Sequence, residues 1–380
     1  MNISDRALFD IPREIVYLNT ANIAPRLKEV SKAGHQAIDV FANPWSIAPD
    51  DWFRNPETLR KEFARFIEVD TDTVALVPSV SYGIALAAKN IPIEANANIV
   101  VVEDQYPSNV YAWQRRADES RAVIRVAQRG TNLSLTESVL NLIDSNTAVV
   151  AIPNCHWTDG ELLDLIAIGE AAKTVDAALV VDASQSLGAL PIDFDRVKPD
   201  FVVSVGYKWL LGSYGIGYLY VDKKWQERGI PLEESWLTRR GSENFSQLVD
   251  YVDEYRPGAR RFDFGEFPQF ISIPMAIAAI SQLNSWGSSY VQKELFTKIQ
   301  QIRSISNQLG LETLLSERSS GHIVGIKLNT EQQPMKLAVA LKSANIYVSV
   351  RGNTIRVTPH LHTDERDLKR FCSALKEYLV

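Results

Sequence analysis

From about residue 60 to residue 222, short β-branched apolar runs alternate with stretches of helical periodicity. The runs are Val74–Pro78, Ile99–Glu103, Ala122–Ala127, Ala148–Pro153, Ala178–Asp182, Phe201–Val205 and Gly217–Val221. Ser81–Lys89, Val110–Glu119, Leu135–Ile143 and Glu161–Val175 read as helices between them. Strands alternating with helices predict a mainly parallel sheet buried on both faces. Ligands of such sheets collect beyond the carboxyl ends of the strands. Ser79–Tyr82, Tyr106, Asp182 and Lys208 all fall at or just after the end of a run.

The pattern changes after about residue 225. Glu227–Arg261 is polar and carries Pro231, Gly241 and Pro257, the mark of loops and short helices. Helices are expected at Ile273–Leu283, Tyr290–Leu309 and Glu365–Tyr378, and strands at His322–Leu328, Tyr347–Arg351 and Thr354–Thr358. This describes a smaller α+β domain. The expected division is a large domain over 16–258 and a small one made of 1–15 and 259–380.

Composition narrows the partners. The 380 residues suffice for two domains. A net charge of -6 and a pI near 5.6 disfavour nucleic acid or an anionic membrane as the main partner. Two cysteines, Cys155 and Cys372, imply no disulfide framework and suit a reducing compartment. The first fifteen residues lack the apolar core of a signal peptide, and no run approaches a membrane span, so a cytoplasmic protein is expected. His360 and His362 have no ligand set around them at metal spacing, and both are read as structural.

Several residues suit carbonyl-cofactor chemistry. A lysine that forms an imine must lose its proton, hence sit partly desolvated beside other polar groups. Lys208 follows an apolar run and precedes Gly212, Gly215 and Gly217. An aspartate ending a buried strand, as Asp182 does, can hold a protonated pyridine nitrogen or merely cap the next turn. The strand-to-helix passage VPSVSYGIALAA offers hydroxyls and free N–H groups to a phosphate. Arg356, with Arg351 as second choice, can grip a carboxylate bidentately.

Together DASQSLGALPIDF, GYKWLLGSYGIGYLYV and VSVRGNTIRVTPHLHTDERDLKRF resemble the cofactor and substrate motifs of the class V aminotransferase family. That family includes cysteine desulfurases, kynureninase and isopenicillin-N epimerase. The resemblance covers nearly the whole chain with its motifs in order. It implies the fold of type I transferases dependent on pyridoxal 5′-phosphate (PLP), with PLP carried as an imine on Lys208 and its ring nitrogen on Asp182. It places Gln185 on the ring oxygen or imine region, with Ser184 weaker. Ser81 and the Tyr82 backbone are placed on the phosphate, with Tyr207 as a further hydroxyl donor. Tyr106, in the kynureninase-like order Tyr-Pro-Ser-Asn-Val-Tyr, is the ring expected to stack on PLP. Arg356 would bind the α-carboxylate of an amino-acid substrate. YLNTANIAPR matches the family's entry motif and brings Ala21 and Asn22 toward that carboxylate. The resemblance also implies a homodimer with shared active sites.

The chain departs from the family in three places. No cysteine precedes Arg356, where desulfurases carry their nucleophile, and neither Cys155 nor Cys372 can replace it by position. Trp157 or His156 stands where desulfurases have an asparagine on the cofactor. Glu266 replaces the threonine that reaches the neighbouring subunit's phosphate. Trp45, Trp157 and Trp236 are candidates for an aromatic or apolar substrate pocket, as well as for packing. The expected activity is that of an aminotransferase or lyase. An epimerase of the isopenicillin-N type and a non-catalytic PLP-binding protein stay as alternatives. A nicotinamide dehydrogenase fits poorly, because G-x-x-G-x-G here precedes a strand instead of opening a helix.

Overall fold

The computed structural model describes residues 5–130, 133–328 and 332–379. Seven strands form the main sheet: β1 (Val74–Val77), β2 (Asn98–Val102), β3 (Val123–Ala127), β4 (Thr147–Pro153), β5 (Ala178–Asp182), β6 (Phe201–Val205) and β7 (Gly217–Val221). Their spatial order is β1-β7-β6-β5-β4-β2-β3. β2 to β6 pair in parallel, whereas β7 runs antiparallel to both β6 and β1. The sheet is therefore mixed, with one reversed strand inside an otherwise parallel array. β1, β2, β5 and β6 are buried at every position, which explains their uniformly apolar sequence.

Helices cover both faces: α1 (Lys28–Phe41), α2 (Asp51–Phe66), α3 (Val80–Asn90), α4 (Tyr111–Ser120), α5 (Leu135–Leu140) and α6 (Leu165–Thr174). The starts that matter are fixed by caps. Ser79 Oγ accepts the Tyr82 N–H at α3, Ser134 and Glu137 form a capping box at α5, and Asp164 caps α6. Asp164 also corrects the helix expected from Glu161. Residues 161 and 162 instead make bridges to Ser319 and Cys155.

α7 (Ser272–Trp286) and α8 (Ser288–Gln308) meet at Gly287. The small unit adds β8 (Glu312–Thr313), β9 (Val324–Lys327), α9 (Gln332–Ser343), β10 (Ser349–Arg351), β11 (Thr354–Val357) and α10 (Glu365–Leu379). Its sheet order is β10-β11-β9-β8. Ile273, Ala276, Ile280 and Leu283 of α7 belong to the same core as Leu59 and Phe63 of α2. Val16 and Leu18 instead join the small core with Ile346, Ile355 and Phe371. The core beside the main sheet thus takes in α7, while Val16 and Leu18 pack in the smaller core. α8 enters both cores, through Val291 and Leu295 on one side and Ile299 and Ile302 on the other.

Candidate active site

The carboxyl ends of β1, β4, β5 and β6 open onto one cleft of about 840 Å³, its open mouth included. Asp182, the last residue of β5, and Lys208, three residues beyond β6, both line it. Asp182 is 7% exposed and Lys208 8%. Burial pushes the Lys208 ammonium down to about 8, with Asp182 opposing the shift and Arg356 and Arg351 adding to it. Burial raises Asp182 as well, against the Ser184 N–H bonded to its Oδ1 at 2.9 Å and against Lys208. Tyr106 and Tyr207 flank the amine, their ring centroids 5.4 and 5.8 Å from Lys208 Nζ.

Ser79 and Ser81 line the cleft at the N-terminus of α3, their hydroxyls 2.9 Å apart. Tyr207 lies beside them on the lining and packs on Tyr214 at 4.5 Å, and burial pushes its phenol up to about 12. Tyr82 departs from expectation. Its N–H is taken by Ser79 Oγ at 3.2 Å and its ring is half-buried against the core, away from the cleft lining.

Gln185 lines the cleft but is tethered. Its Oε1 accepts the Trp209 indole N–H at 3.1 Å, and its Nε2 donates to the Ala21 carbonyl at 3.1 Å. One N–H remains for a ligand. Ser184, the weaker expectation, has a buried hydroxyl on the cleft wall with no partner among the described residues. Asn22 is exposed, and like Arg351 and Arg356 it stands outside the residues that line the cleft. The entry motif reaches the site through Ala21 instead.

Arg356 on β11 is 1% exposed and does not face solvent. Its Nε donates to Ser349 Oγ at 3.1 Å and its Nη1 to the Trp157 carbonyl at 2.8 Å. Burial pushes it down to about 9, helped by neighbouring Arg351. Trp157 lines the cleft, meets Tyr106 edge-on at 5.5 Å and donates its indole N–H to the Asp104 carbonyl. His156 is fully buried on Thr158 and the Glu103 carbonyl. Trp45 and Trp236 stand outside the lining, and Trp236 packs with Trp52 and Phe245. Glu266 is exposed. Cys155 does reach the cleft wall, yet its thiol is buried, donates to the Gln185 carbonyl and is pushed up to about 12. Sequence reasoning missed Tyr214, Gln105 and Ser108 in the lining. Their only signal was proximity to Lys208 and Tyr106.

These side chains fit PLP. A buried carboxylate sits beside a buried amine of depressed pKa, hydroxyls gather at a helix N-terminus, and Ser184 Oγ and Gln105 Oε1 are buried on the wall without partners. Fold and site together define a fold-type-I, PLP-dependent enzyme.

The comparisons narrow the class. A family model described as Aminotransferase class-V matches residues 16–371. An uncharacterized aminotransferase, YcbU, of Bacillus subtilis is 29% identical over 313 residues, 82% of this chain and 81% of the relative. Isopenicillin N epimerase of Streptomyces clavuligerus is 22% identical over 95% of this chain and 94% of its own. Kynureninase of Deinococcus radiodurans is 28% identical over 72% and 67%. The apo structure of a cysteine desulfurase from Thermococcus onnurineus superposes with a TM-score of 0.84 at 18% identity, covering 99% and 98% of the two chains. The cystine C-S lyase C-DES, in complex with cysteine persulfide, gives 0.85 at 19% identity over 96% and 97%. The chain belongs to the class V aminotransferase family, whose members are PLP-dependent aminotransferases, lyases and related enzymes.

Proposed function

We propose that this chain is a PLP-dependent aminotransferase or lyase that takes an amino acid as substrate, with Lys208 as the residue that carries the cofactor. The observation behind the proposal is the Lys208 amine, buried beside Asp182 and held down to about 8. An amine with a sizeable neutral fraction is a nucleophile toward a carbonyl and, once freed, a base toward a substrate Cα–H. PLP supplies a protonated ring that accepts the electrons released at that carbon. Asp182 would hold the ring nitrogen, Ser81 and Tyr207 would hold the phosphate, and Tyr106 would lie against the ring. Arg356 orients the α-carboxylate through the donors its two protein bonds leave free. Lys208 delivers or removes the proton.

A persulfide-forming desulfurase is disfavoured. β10 and β11 are joined by only Gly352 and Asn353, with Gly352 at φ 56°, so no cysteine-bearing loop exists before Arg356. The buried Cys155 thiol is protonated at neutral pH and cannot act as a thiolate. The proposal includes a cytoplasmic homodimer, supported by the exposed apolar side chains of Trp45, Val249 and Tyr251. Among the described residues no helix is long and apolar enough to cross a membrane.

The test is the visible spectrum of the purified enzyme, titrated with cysteine, alanine, kynurenine and aspartate. A yellow band that shifts with at least one amino acid is expected. A protein that stays colourless with added PLP would overturn the proposal.

A further inference from the structure

Arg351 and Arg356 stand on one face of a single hairpin. The register pairs Ser349 with Arg356 and Arg351 with Thr354, so the two arginines occupy neighbouring positions on the same side. Both reach Trp157. Arg356 Nη1 donates to its carbonyl at 2.8 Å, and Arg351 Cζ lies 5.2 Å from its ring centroid. Trp157 in turn touches Tyr106, which lies beside Lys208.

Neither arginine has an ion-pair partner among the described residues. The one side-chain hydrogen bond of Arg351 goes to the Val350 carbonyl next to it, and its Nε is buried without a partner. Among the described residues Asp182 is the only acid lining the cleft, and it lies by Lys208. Arg356 is buried and Arg351 half-buried on the same face, so the two guanidinium groups repel each other and each loses hydration. One α-carboxylate compensates only one of them.

We infer that the substrate is a dicarboxylic amino acid, its α-carboxylate on Arg356 and its side-chain carboxylate on Arg351, with Trp157 as the wall between them. The inference rests on the amino-acid reading above and extends it to a substrate class. Arg351 becomes the residue that sets specificity. A neutral side chain would leave its charge unanswered, and an amide isostere would trade an ionic contact for a weaker neutral one.

The test uses the holoenzyme and two readouts. Calorimetry compares succinate and glutarate with propionate, which carry no amine. The cofactor band is titrated with aspartate, glutamate, their amides and alanine. Dicarboxylates are expected to bind roughly 10- to 100-fold more tightly than propionate, and the preferred acid to exceed its amide by a similar factor. Both ratios should fall toward one in Arg351→Gln and recover in part in Arg351→Lys, with circular dichroism and the cofactor band reporting that each variant is folded. Equal binding of acid and amide, or a preference untouched by Arg351→Gln, overturns the inference. If neutral amino acids move the band but no acid is preferred, the inference fails and the amino-acid reading stands. If dicarboxylates bind through Arg351 but no amino acid moves the band, the amino-acid reading fails and the two-arginine site stands.

Discussion

The rate at which the apoenzyme captures PLP should follow the titration of Lys208. An ordinary lysine loses its proton at 10.5, whereas burial brings this one to about 8. At a pH of about 7.5, a group titrating at about 8 is roughly one-quarter neutral, and one titrating at 10.5 about 0.1% neutral. The gain in reactive amine is therefore roughly 200-fold. The sign is fixed: the neutral amine attacks, so the rate rises with pH and levels once Lys208 is deprotonated. The assay is rapid mixing of apoenzyme with excess PLP across pH, following growth of the visible band. Normalising to the rate of N-acetyl-lysine amide removes the cofactor's own titration. A midpoint near 8 is expected. Because Arg351 contributes to the lowering, Arg351→Gln should move that midpoint upward. A rate that climbs about tenfold per pH unit as far as pH 10 would refute the reasoning, since it would describe an ordinary solvated lysine.

Two further predictions concern the scaffold. Arg60 and Asp263 form a fully buried ion pair at 2.6 Å, and Asp263 also accepts the Leu76 N–H at the start of the strand-to-cofactor passage. Asp263→Ala removes the buried carboxylate from Arg60, leaving it Glu57 and the Val74 carbonyl, and should cost about 3 kcal/mol, seen as a lower midpoint of chemical denaturation; an unchanged midpoint contradicts this. At Gly188, φ is 104° and an added Cβ would lie 2.2 Å from the Trp209 carbonyl. Gly188→Ala should therefore displace Trp209 and with it Lys208, lowering both thermal stability and PLP affinity, measured by melting with and without cofactor. Wild-type values for both would show that the loop yields freely.

The inner sheet strands were legible because burial on both faces makes each an apolar run, while the edge strand β3, exposed at Val123 and Val126, was legible from its β-branched residues. The reversal of β7 left no mark in its composition. Its signal was the connection: residues 206–216 are too few to return the chain for a parallel strand. Asp182, Lys208 and the α3 start were readable from local sequence, since each lies at a strand end or cap. Gln185 was not, because its partners Ala21 and Trp209 are 164 and 24 residues away. Arg351 and Arg356 are five apart, which along one strand puts them on opposite faces. The tight turn at Gly352–Asn353 folds them onto the same face, and that depends on register. Tyr82 and Asn22 were named by a motif match; the structure has the Tyr82 N–H on Ser79 Oγ and Asn22 exposed.

The most direct measurement is borohydride reduction of the purified holoenzyme, followed by peptide mapping by mass. The reduced cofactor should be found on the peptide containing Lys208, with Lys208→Ala protein unlabelled yet folded. Label on another lysine, or equal labelling of the variant, would contradict the assignment on which the site rests.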